Sequence, residues 1–279
     1  MKISIIVPSW NQGKFIERAL WSLEKQDDEN LEILVMDGGS TDNSVEVIHK
    51  FEHIITYWQS EKDGGQSAAI NEGIRRATGD WVVWFNTDDI MMPEAIGNFR
   101  KCVEKHPDCR WFSGSMLWID TNDIVTRVGR QERMGRWLNS TYFIATGPSS
   151  FMRRDMLDEV GLLRNDFHYI MDLELWYRLV EHGEYMERIP GYTWAMRVHE
   201  ASKTTGRFAQ NTELYRRQEG KIQAERNHLM EMYPHRTLYQ APIWMKFSYY
   251  LNKFFDRSVL SRFTDKKLLG QKVTDFFNQ

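Results

Sequence analysis

Apolar runs and amphipathic segments alternate through the first hundred residues, and this alternation restricts the chain to a small set of folds. Four apolar-rich runs have the length of buried strands: Ile3–Pro8, Leu31–Met36, Ile54–Trp58 and Trp81–Phe85. Apolar residues at helical spacing predict helices over 13–25, 42–50 and 66–77, and another near Pro93. Strands that alternate with helices in this way predict an α/β fold with a mostly parallel sheet and helices on both faces.

After residue 105 the alternation becomes less regular. The sequence predicts strands over Trp111–Ile119, over Gly147–Arg153 and near 191–198, and helices over 154–160 and 171–183. From residue 207 onward the patterns are helical. We therefore expect an α/β domain over 1–206, with halves of about 1–105 and 106–206, and a helical C-terminal region over 207–279.

The composition fits a globular protein of one large domain or two modest ones. The chain has 279 residues, 42% of them hydrophobic, so it can bury a core without a disulfide or a metal ion. Cys102 and Cys109 are its two cysteines, and we predict free thiols in a reducing compartment. The N-terminus lacks a long apolar stretch and no run reaches the ~18 residues of a membrane span, so we expect a cytoplasmic protein.

The formal net charge of −3 hides a contrast between a body of net −9 over 1–206 and a tail of net +6 over 207–279. Aromatic and aliphatic residues in the tail fall largely on one helical stripe: Trp244, Phe247, Tyr250, Leu251, Phe254 and Phe255. This stripe either packs on the body or on a second copy in a homodimer, or it lies on an anionic membrane surface, with the protein peripheral on the inner face. We expect no nucleic acid partner, because no recognised binding module accompanies the charge.

Polar side chains follow each predicted strand of the first half. Ser9 and Asn11 come after the first strand, Asp37 after the second, and Asp88 and Asp89 after the fourth. Ligands of open α/β sheets bind beyond the carboxyl ends of the strands. Two adjacent carboxylates after an apolar strand indicate either a polar turn in which Asp89 caps a helix, or a Mg²⁺ or Mn²⁺ site. Neither a GxxxxGK[ST] loop nor a GxGxxG fingerprint is present.

Six segments of the chain resemble, in their order, those of inverting family 2 glycosyltransferases. The segments are IIVPSWNQGKFIERALWSLEKQ, VMDGGSTDNS, SEKDGGQSAAINEGIRRATGDWVVWFNTDD, PSSFMRRDMLDEVG, MDLELWYRL and VHEASKT, and the match covers about residues 1–205. The similarity is strongest to a bacterial polysaccharide branch that includes colanic-acid-type transferases. The resemblance implies a GT-A fold, Rossmann-like and mostly parallel, and a nucleotide-sugar donor.

The resemblance also implies roles on the donor side. It assigns Pro8, Ser9 and Asn11 to the nucleotide base and ribose, and Asp37 to the base, typically uracil. The implied contacts to the nucleotide or the donor sugar also include Lys62, Asp63, Gln66, Asn86 and Thr87. Asp88, with Asp89 beside it, and His199 would hold Mg²⁺ or Mn²⁺. Asn86 stands where the family has the first Asp of its Asp-x-Asp motif, so this position brings no charge.

On the acceptor side the resemblance implies that Asp172 is the catalytic base. Glu174 is the second acid of the same segment, and His168 and Tyr169 lie just before the base, where we expect acceptor contacts. Alternative interpretations are that Asp172 only caps a helix and that His199 only makes structural hydrogen bonds. A desolvated site that raises its pKa would make Asp172 a better base at neutral pH.

Together these residues predict a metal-dependent inverting glycosyltransferase. We expect it to move a sugar from a UDP-sugar, or alternatively a GDP-sugar, to a hydroxyl of a glycan or lipid-linked glycan in bacterial surface polysaccharide or glycan synthesis. Two alternatives come from other classes: a non-catalytic nucleotide- or sugar-binding module on the same fold, and a nucleotidyltransferase. The latter is expected to carry a Gly-rich basic loop near the N-terminus, of which VPSWNQGK is a poor version.

Overall fold

The computed structural model describes residues 1–129, 131, 147–200, 202–203, 212–234 and 265–278. In these ranges nine strands form one sheet: β1 Ile3–Ser9, β2 Leu31–Asp37, β3 Tyr57–Ser60, β4 Trp81–Trp84, β5 Ile90–Met91, β6 Trp111–Ile119, β7 Val125–Gly129, β8 Ser150–Arg153 and β9 Met186–Arg197. The α-helices of the same ranges are α1 Ile16–Glu24, α2 Ser44–Lys50, α3 Gln66–Arg76, α4 Ala95–Lys105, α5 Arg154–Val160, α6 Met171–Glu181 and α7 Thr212–Met232.

The sheet has a parallel half and a mixed half. Its order is β3-β2-β1-β4-β8-β6-β9-β5, with β7 paired to β6. The first four strands are parallel, as the sequence predicts, and β6 is parallel to β9. β8 joins the two halves by antiparallel pairing with both β4 and β6. This mixed α/β sheet confirms the predicted fold class.

The two faces of the sheet bury separate cores, because successive strand residues point to opposite faces. On one face Ile5 and Val7 of β1 pack with apolar residues of α1, α2 and α4. On the other, Ile6 packs with apolar residues of α3, α5, α6 and α7. A third and smaller cluster, which includes Val273, lies by β5, β6 and β7.

Two predicted elements need correction. β3 begins at Tyr57, later than the predicted start at Ile54. Ile54 is apolar because it packs against the core from a turn, not because it belongs to a strand. The predicted strand over Gly147–Arg153 is a 3-10 turn followed by β8 from Ser150. Cys102 and Cys109 are buried and free, as the sequence predicts.

Two segments of the C-terminal region pack on the α/β body. Ile222 and Leu229 of α7 are 8% and 2% exposed. Farther along, Ile124 and Lys272 form an antiparallel bridge, and the Trp21 and Phe277 ring centroids are 4.6 Å apart. The predicted stripe from Trp244 to Phe255 and the predicted boundary at 206 lie outside the described residues. Within the described ranges, no helix has both the length and the apolar character that crossing a membrane requires.

Candidate active site

Three loops follow β1, β2 and β3, and hydrogen bonds join them into one surface; we call residues 9–13, 37–44 and 60–66 the strand-end loops. Asp37, 1% exposed, holds two of them together. Its carboxylate accepts hydrogen bonds from Ser40 N at 2.8 Å, from Ser40 Oγ at 2.5 Å and from Ser60 Oγ at 2.6 Å. The predicted nucleotide-binding aspartate therefore also fixes the loops that surround it.

Asn11 links the first two loops. Its φ of 52° lies in the left-handed region, which asparagine tolerates better than most residues. In this conformation Asn11 Oδ1 accepts a hydrogen bond from Thr41 N at 2.8 Å, and Asn11 N donates to Ser40 Oγ at 2.7 Å. Ser9 Oγ is buried and, among the described residues, has no hydrogen-bond partner. A polar atom in this position is suited to contact a ligand.

Residues next to Ser9 in the first strand-end loop differ greatly in exposure. Pro8 lies inside β1, and its carbonyl accepts a hydrogen bond from Thr87 Oγ1 at 3.4 Å. Thr87 is itself only 3% exposed, so its hydrogen bond supports the first strand-end loop from inside the protein. Trp10, by contrast, is 65% exposed. The sequence places this indole directly after the first strand, between Ser9 and Asn11, but the resemblance to the family assigns it no role.

The third strand-end loop carries Lys62 and Asp63, both exposed. Asp63 Oδ1 accepts a hydrogen bond from Gly65 N at 2.7 Å. A methyl group added at Gly38 would lie 3.0 Å from Asp63 Oδ2, so the second and third loops are in close contact. The structure therefore brings both predicted residues to the surface that Asn11 and Asp37 organise.

A chain of polar contacts leads from Lys203 to the end of β4. Lys203 Nζ donates to Gln66 Oε1 at 2.8 Å, and Gln66 Nε2 donates to Asn86 Oδ1 at 3.0 Å. Asn86 Nδ2 in turn donates to Asp89 Oδ2 at 3.3 Å. A carboxylate at position 86 could not donate this last bond, which gives a physical reason for the amide. Burial lowers the pKa of Lys203 to about 8.

Asp88 and His199 form a pair, although 111 positions separate them. Asp88 Oδ2 lies 2.9 Å from His199 Nε2, and the Phe15 ring packs at 4.7 Å from the imidazole. Asn11 and His199 also line one cavity of about 1060 Å³. The described residues form no group of three His, Cys, Asp or Glu side chains able to hold a metal ion. The pair still fits Mg²⁺ or Mn²⁺, which commonly bind one or two carboxylates and take other ligands from water and phosphate.

Asp89 is 2% exposed and has partners of its own. Its Oδ1 accepts a hydrogen bond from Arg197 N at 3.0 Å. Burial, together with the charge of Asp88, raises the pKa of Asp89 well above its usual range. A carboxyl group held in this way supports the loop, so of the three predicted metal ligands only Asp88 and His199 are brought together.

Arg197 was not found from the sequence, and it organises the Asp88 loop. Its guanidinium is 2% exposed, donates to the carbonyl of Asp88 from Nε at 2.9 Å, and pairs with Asp123 at 2.6 Å. Asp123 has a φ of 68°, and its carbonyl accepts a hydrogen bond from Val273 N at 2.9 Å. The C-terminal segment thus contacts the residue that holds Arg197.

Asp172 lies in the first turn of α6, beside β4. Its Oδ1 accepts a hydrogen bond from Leu173 N at 2.8 Å, and Gly147 N–H also donates to the carboxylate. A methyl group added at Gly147 would lie 2.9 Å from Asp172 Oδ2 and 3.2 Å from Trp84 Cζ2. Burial raises the pKa of Asp172 despite these hydrogen bonds. A raised pKa makes a carboxylate a better base at neutral pH.

The α6 start also contacts α3, whose first residue is Gln66. Ser67 Oγ donates to Met171 Sδ at 2.9 Å. Gln66 and Asp172 are each adjacent in sequence to one of these two residues. The polar chain from Lys203 and the Asp172 carboxylate therefore lie at neighbouring helix starts.

The other predicted acceptor residues are arranged differently. Glu174 is fully buried and pairs with Arg178 at 2.8 Å, and Arg178 also donates to three backbone carbonyls of 160–162. This pairing gives Glu174 a structural role, and we leave it out of the proposed site. His168 is exposed and Tyr169 half-buried, and both precede α6. Loss of hydration where the ring meets the protein, and the nearby charge of Lys203, lower the pKa of His168.

Comparison with known proteins agrees with this architecture. The Glycosyl transferase family 2 model matches residues 4–161, more than half of the chain. An uncharacterized glycosyltransferase of Rickettsia typhi is 22% identical, over 96% of this chain and 86% of its own. A Methanococcus voltae enzyme is 41% identical over 43% of this chain and 40% of its own; its name describes a diacetamido-dideoxy-glucuronosyltransferase that acts on dolichyl N-acetylglucosaminyl phosphate. The chain thus spans less than half the length of that second relative.

Solved structures share the fold at low sequence identity. TarS 1–349 from S. aureus, in complex with UDP-GlcNAc, has a TM-score of 0.62 and 18% identity, over 85% of this chain and 72% of its own. The mannosyltransferase PcManGT from Pyrobaculum calidifontis, in complex with GDP-Man and Mn²⁺, has a TM-score of 0.57 and 20% identity, over 72% and 58%. With the match of the family model to most of the α/β body, the chain belongs to glycosyl transferase family 2 and is a glycosyltransferase of the GT-A fold.

Proposed function

We propose that the chain is an inverting glycosyltransferase that moves a sugar from a nucleoside diphosphate sugar to an acceptor hydroxyl. One observation carries the proposal: a half-buried carboxyl with a raised pKa, Asp172, stands beside β4, the strand that is followed by Asp88 and its partner His199. The first group is suited to accept a proton, and the second to hold a cation at a diphosphate.

The donor would bind on the strand-end loops. The exposed indole of Trp10 is suited to stack on a base, and the unpartnered Ser9 Oγ to hydrogen-bond the nucleoside. Asn11 and Asp37 would complete this contact, while Lys62, Asp63 and Gln66 would face the diphosphate or the sugar. We favour a UDP-sugar over a GDP-sugar; the complexes of TarS with UDP-GlcNAc and of PcManGT with GDP-Man support a nucleotide-sugar donor of either base.

Asp88 and His199 would hold Mg²⁺ or Mn²⁺, and the Mn²⁺ in PcManGT supports this assignment. Bound there, the ion would neutralise charge on the departing diphosphate. Asp89 and Arg197 would keep the Asp88 loop in place, and Lys203 would add a positive charge beside Gln66.

Transfer follows from the position of Asp172. The Asp172 carboxylate takes the proton of the acceptor hydroxyl, and the hydroxyl oxygen attacks the anomeric carbon from the side opposite the nucleotide. The bond from that carbon to the diphosphate breaks, so configuration inverts. His168 and Tyr169 would contact the acceptor. The Methanococcus voltae relative, named for a lipid-phosphate-linked acceptor, supports a glycan or lipid-linked glycan acceptor here, in surface polysaccharide or glycan synthesis.

The test compares the wild-type chain with Asp172→Asn. UDP-GlcNAc, other UDP-sugars and GDP-mannose are incubated with Mn²⁺ and a panel of alkyl and p-nitrophenyl glycosides, and the product is analysed by NMR. We expect inverted product and a kcat lower by about 10²–10⁴-fold in Asp172→Asn. The exposed Asp155→Asn serves as control. A near-normal kcat in Asp172→Asn would exclude Asp172 as the base, and a retained configuration would exclude the mechanism. Nucleotide-sugar binding without turnover would favour the non-catalytic alternative.

A further inference from the structure

The backbone that leads into α6 is held by a residue of a distant helix. Helix α6 has Ile170 at its N-cap position, and no side chain there bonds to the helix. Glu225 of α7 holds the backbone at this position and just before it. Its Oε1 accepts a hydrogen bond from His168 N at 2.9 Å, and its Oε2 accepts from Tyr169 N at 2.8 Å and from Ile170 N at 3.0 Å.

Three backbone N–H groups on one carboxylate form a strong local restraint. The first N–H groups of a helix lack partners within the helix, and the positive end of its dipole favours a negative charge. Hydrogen bonds to a charged acceptor are also stronger than those between neutral groups. Glu225 bonds to the N–H of Ile170 at the N-cap position and to the two N–H groups before it, so it fixes the backbone that leads directly into Met171 and Asp172.

Helix α7 is itself fixed by several contacts. Ile222 and Leu229 pack in the same core cluster as Trp176 of α6. The Tyr177 and Tyr233 ring centroids are 5.3 Å apart. Gln218 Nε2 donates to the carbonyl of Ser202 at 3.1 Å, which ties α7 to the segment that carries His199 and Lys203. Glu225 therefore projects from a helix that contacts the protein on both sides of the candidate site.

We propose that Glu225 is a positioning residue for the transfer reaction. By fixing the N–H groups of 168–170, it sets the place of the Asp172 carboxylate relative to Gln66 and Lys203. The inference rests on the proposed role of Asp172 as base. Glu225 lies outside residues 4–161, the part that the family model matches.

The test compares Glu225→Gln and Glu225→Asp with Glu231→Gln, an exposed residue of the same helix. Release of UDP from UDP-GlcNAc is followed with the best acceptor glycoside of the panel above, or with water as acceptor. In Glu225→Gln we expect kcat to fall about 10-fold, with the donor KM within about twofold of wild type, because a carboxylate displaced by a fraction of an ångström transfers protons poorly. Glu225→Asp keeps the charge and should recover most of kcat, and Glu231→Gln should match wild type.

Hydrogen exchange separates this proposal from the proposed function. The amides of 168–170 should exchange faster in Glu225→Gln than in wild type or Glu231→Gln, whatever the reaction is. Two results for Glu225→Gln would overturn the positioning role: unchanged exchange of the amides of 168–170, or faster exchange with an unchanged kcat. A loss of kcat in Glu225→Asp as large as that in Glu225→Gln would overturn it too. Failure of the base assignment appears instead as normal kcat in Asp172→Asn. If Glu225→Gln does not fold, Glu225→Asp, whose side chain is one methylene shorter, is compared with wild type instead: faster exchange of the amides of 168–170 without any fall in kcat would overturn the proposal.

Discussion

The strand-end loops and the surroundings of Asp172 are built differently. Hydrogen bonds join the strand-end loops, each of which follows a strand of the parallel half of the sheet. The position of the Asp172 carboxylate depends instead on segments that are far apart in the sequence. Asn11, Asp37 and Ser60 lie at the ends of three neighbouring strands and contact one another's loops. Around Asp172, Gly147 and Glu225 come from separate parts of the sequence. The proposed binding surface is thus set by the sheet itself, and the position of the proposed base by long-range packing.

Asp88 combines both features, a position at a strand end and partners from far along the chain; we call Asp88, His199 and Arg197 the junction. It follows β4 directly, as the strand-end loops follow β1, β2 and β3, but its partners His199 and Arg197 come from the end of β9. Substitutions at this junction should therefore affect both the strand-end loops and the surroundings of Asp172. Substitutions in one of these two regions should affect that region alone. The predictions below use this difference, starting with the largest expected effect.

Replacement of Arg197 by methionine should damage the junction most. The substitution leaves Asp123 without its buried partner and frees the carbonyl of Asp88, which should lower the free energy of unfolding by about 3 kcal/mol. Arg18, at 3.3 Å from Asp123, limits the loss. Urea unfolding measures the effect, with Arg75→Met, an exposed pair with Glu72, as control. Equal losses in the two variants would show that Arg197 has no special role.

Replacement of Asp88 by asparagine should weaken cation binding while the protein still folds. The amide keeps the size of the side chain but loses its charge, so we expect weaker Mn²⁺ binding and a kcat lower by about 10²–10³-fold. Mn²⁺ affinity is measured by electron paramagnetic resonance, and Asp158→Asn, an exposed site, is the control. Unchanged Mn²⁺ affinity would remove Asp88 from the cation site.

Replacement of Gly147 by alanine should affect the Asp172 side alone. The added methyl group would lie 2.9 Å from Asp172 Oδ2, so the carboxylate must move, and kcat should fall about 10-fold. Nucleotide binding on the strand-end loops should not change, as measured by calorimetry with UDP. Gly97→Ala, where no atom lies within 4 Å of the new methyl group, is the matched control. A weaker affinity for UDP would contradict the independence of the two parts.

The pH dependence of donor binding should give the smallest effect. Burial lowers the pKa of Lys203 to about 8, so Lys203 is charged below this pH and loses its proton as the pH rises through it. We expect the donor KM to rise a few-fold between pH 7 and pH 9, and Lys203→Met to abolish this rise. A similar rise in the variant would assign the titration to another group.

The sequence predicted those parts of the molecule whose structure depends on residues that are close together in the sequence. Apolar runs located β1, β2 and β4, and the strand-end position of Asp37 follows from the parallel sheet. The pairing of Asp88 with His199 came only from the resemblance to a family, because no local pattern relates residues 111 positions apart. Ile54 misled the strand assignment, since an apolar residue that packs from a turn looks like one in a strand.

Glu225 and Arg197 show why the remainder could not be predicted. Glu225 is one of several charged residues on α7, and nothing in the local pattern separates it from exposed Glu231. Arg197 ends a strand, where a charged residue is ordinary, and only the fold shows its guanidinium buried against Asp123. In both cases the partner is set by tertiary packing, which local periodicity does not encode.

The segment over 265–278 has a consequence for how the protein is made. Val273 is fully buried and its N–H bonds to the carbonyl of Asp123, the partner of Arg197. During synthesis the chain emerges N-terminus first, so the parallel strands can pair long before this segment leaves the ribosome. Closing so long a loop is slow compared with local pairing. The strand-end loops should therefore form early in synthesis, and the turn at Asp123, which pairs with Arg197, should gain its contact with Val273 late.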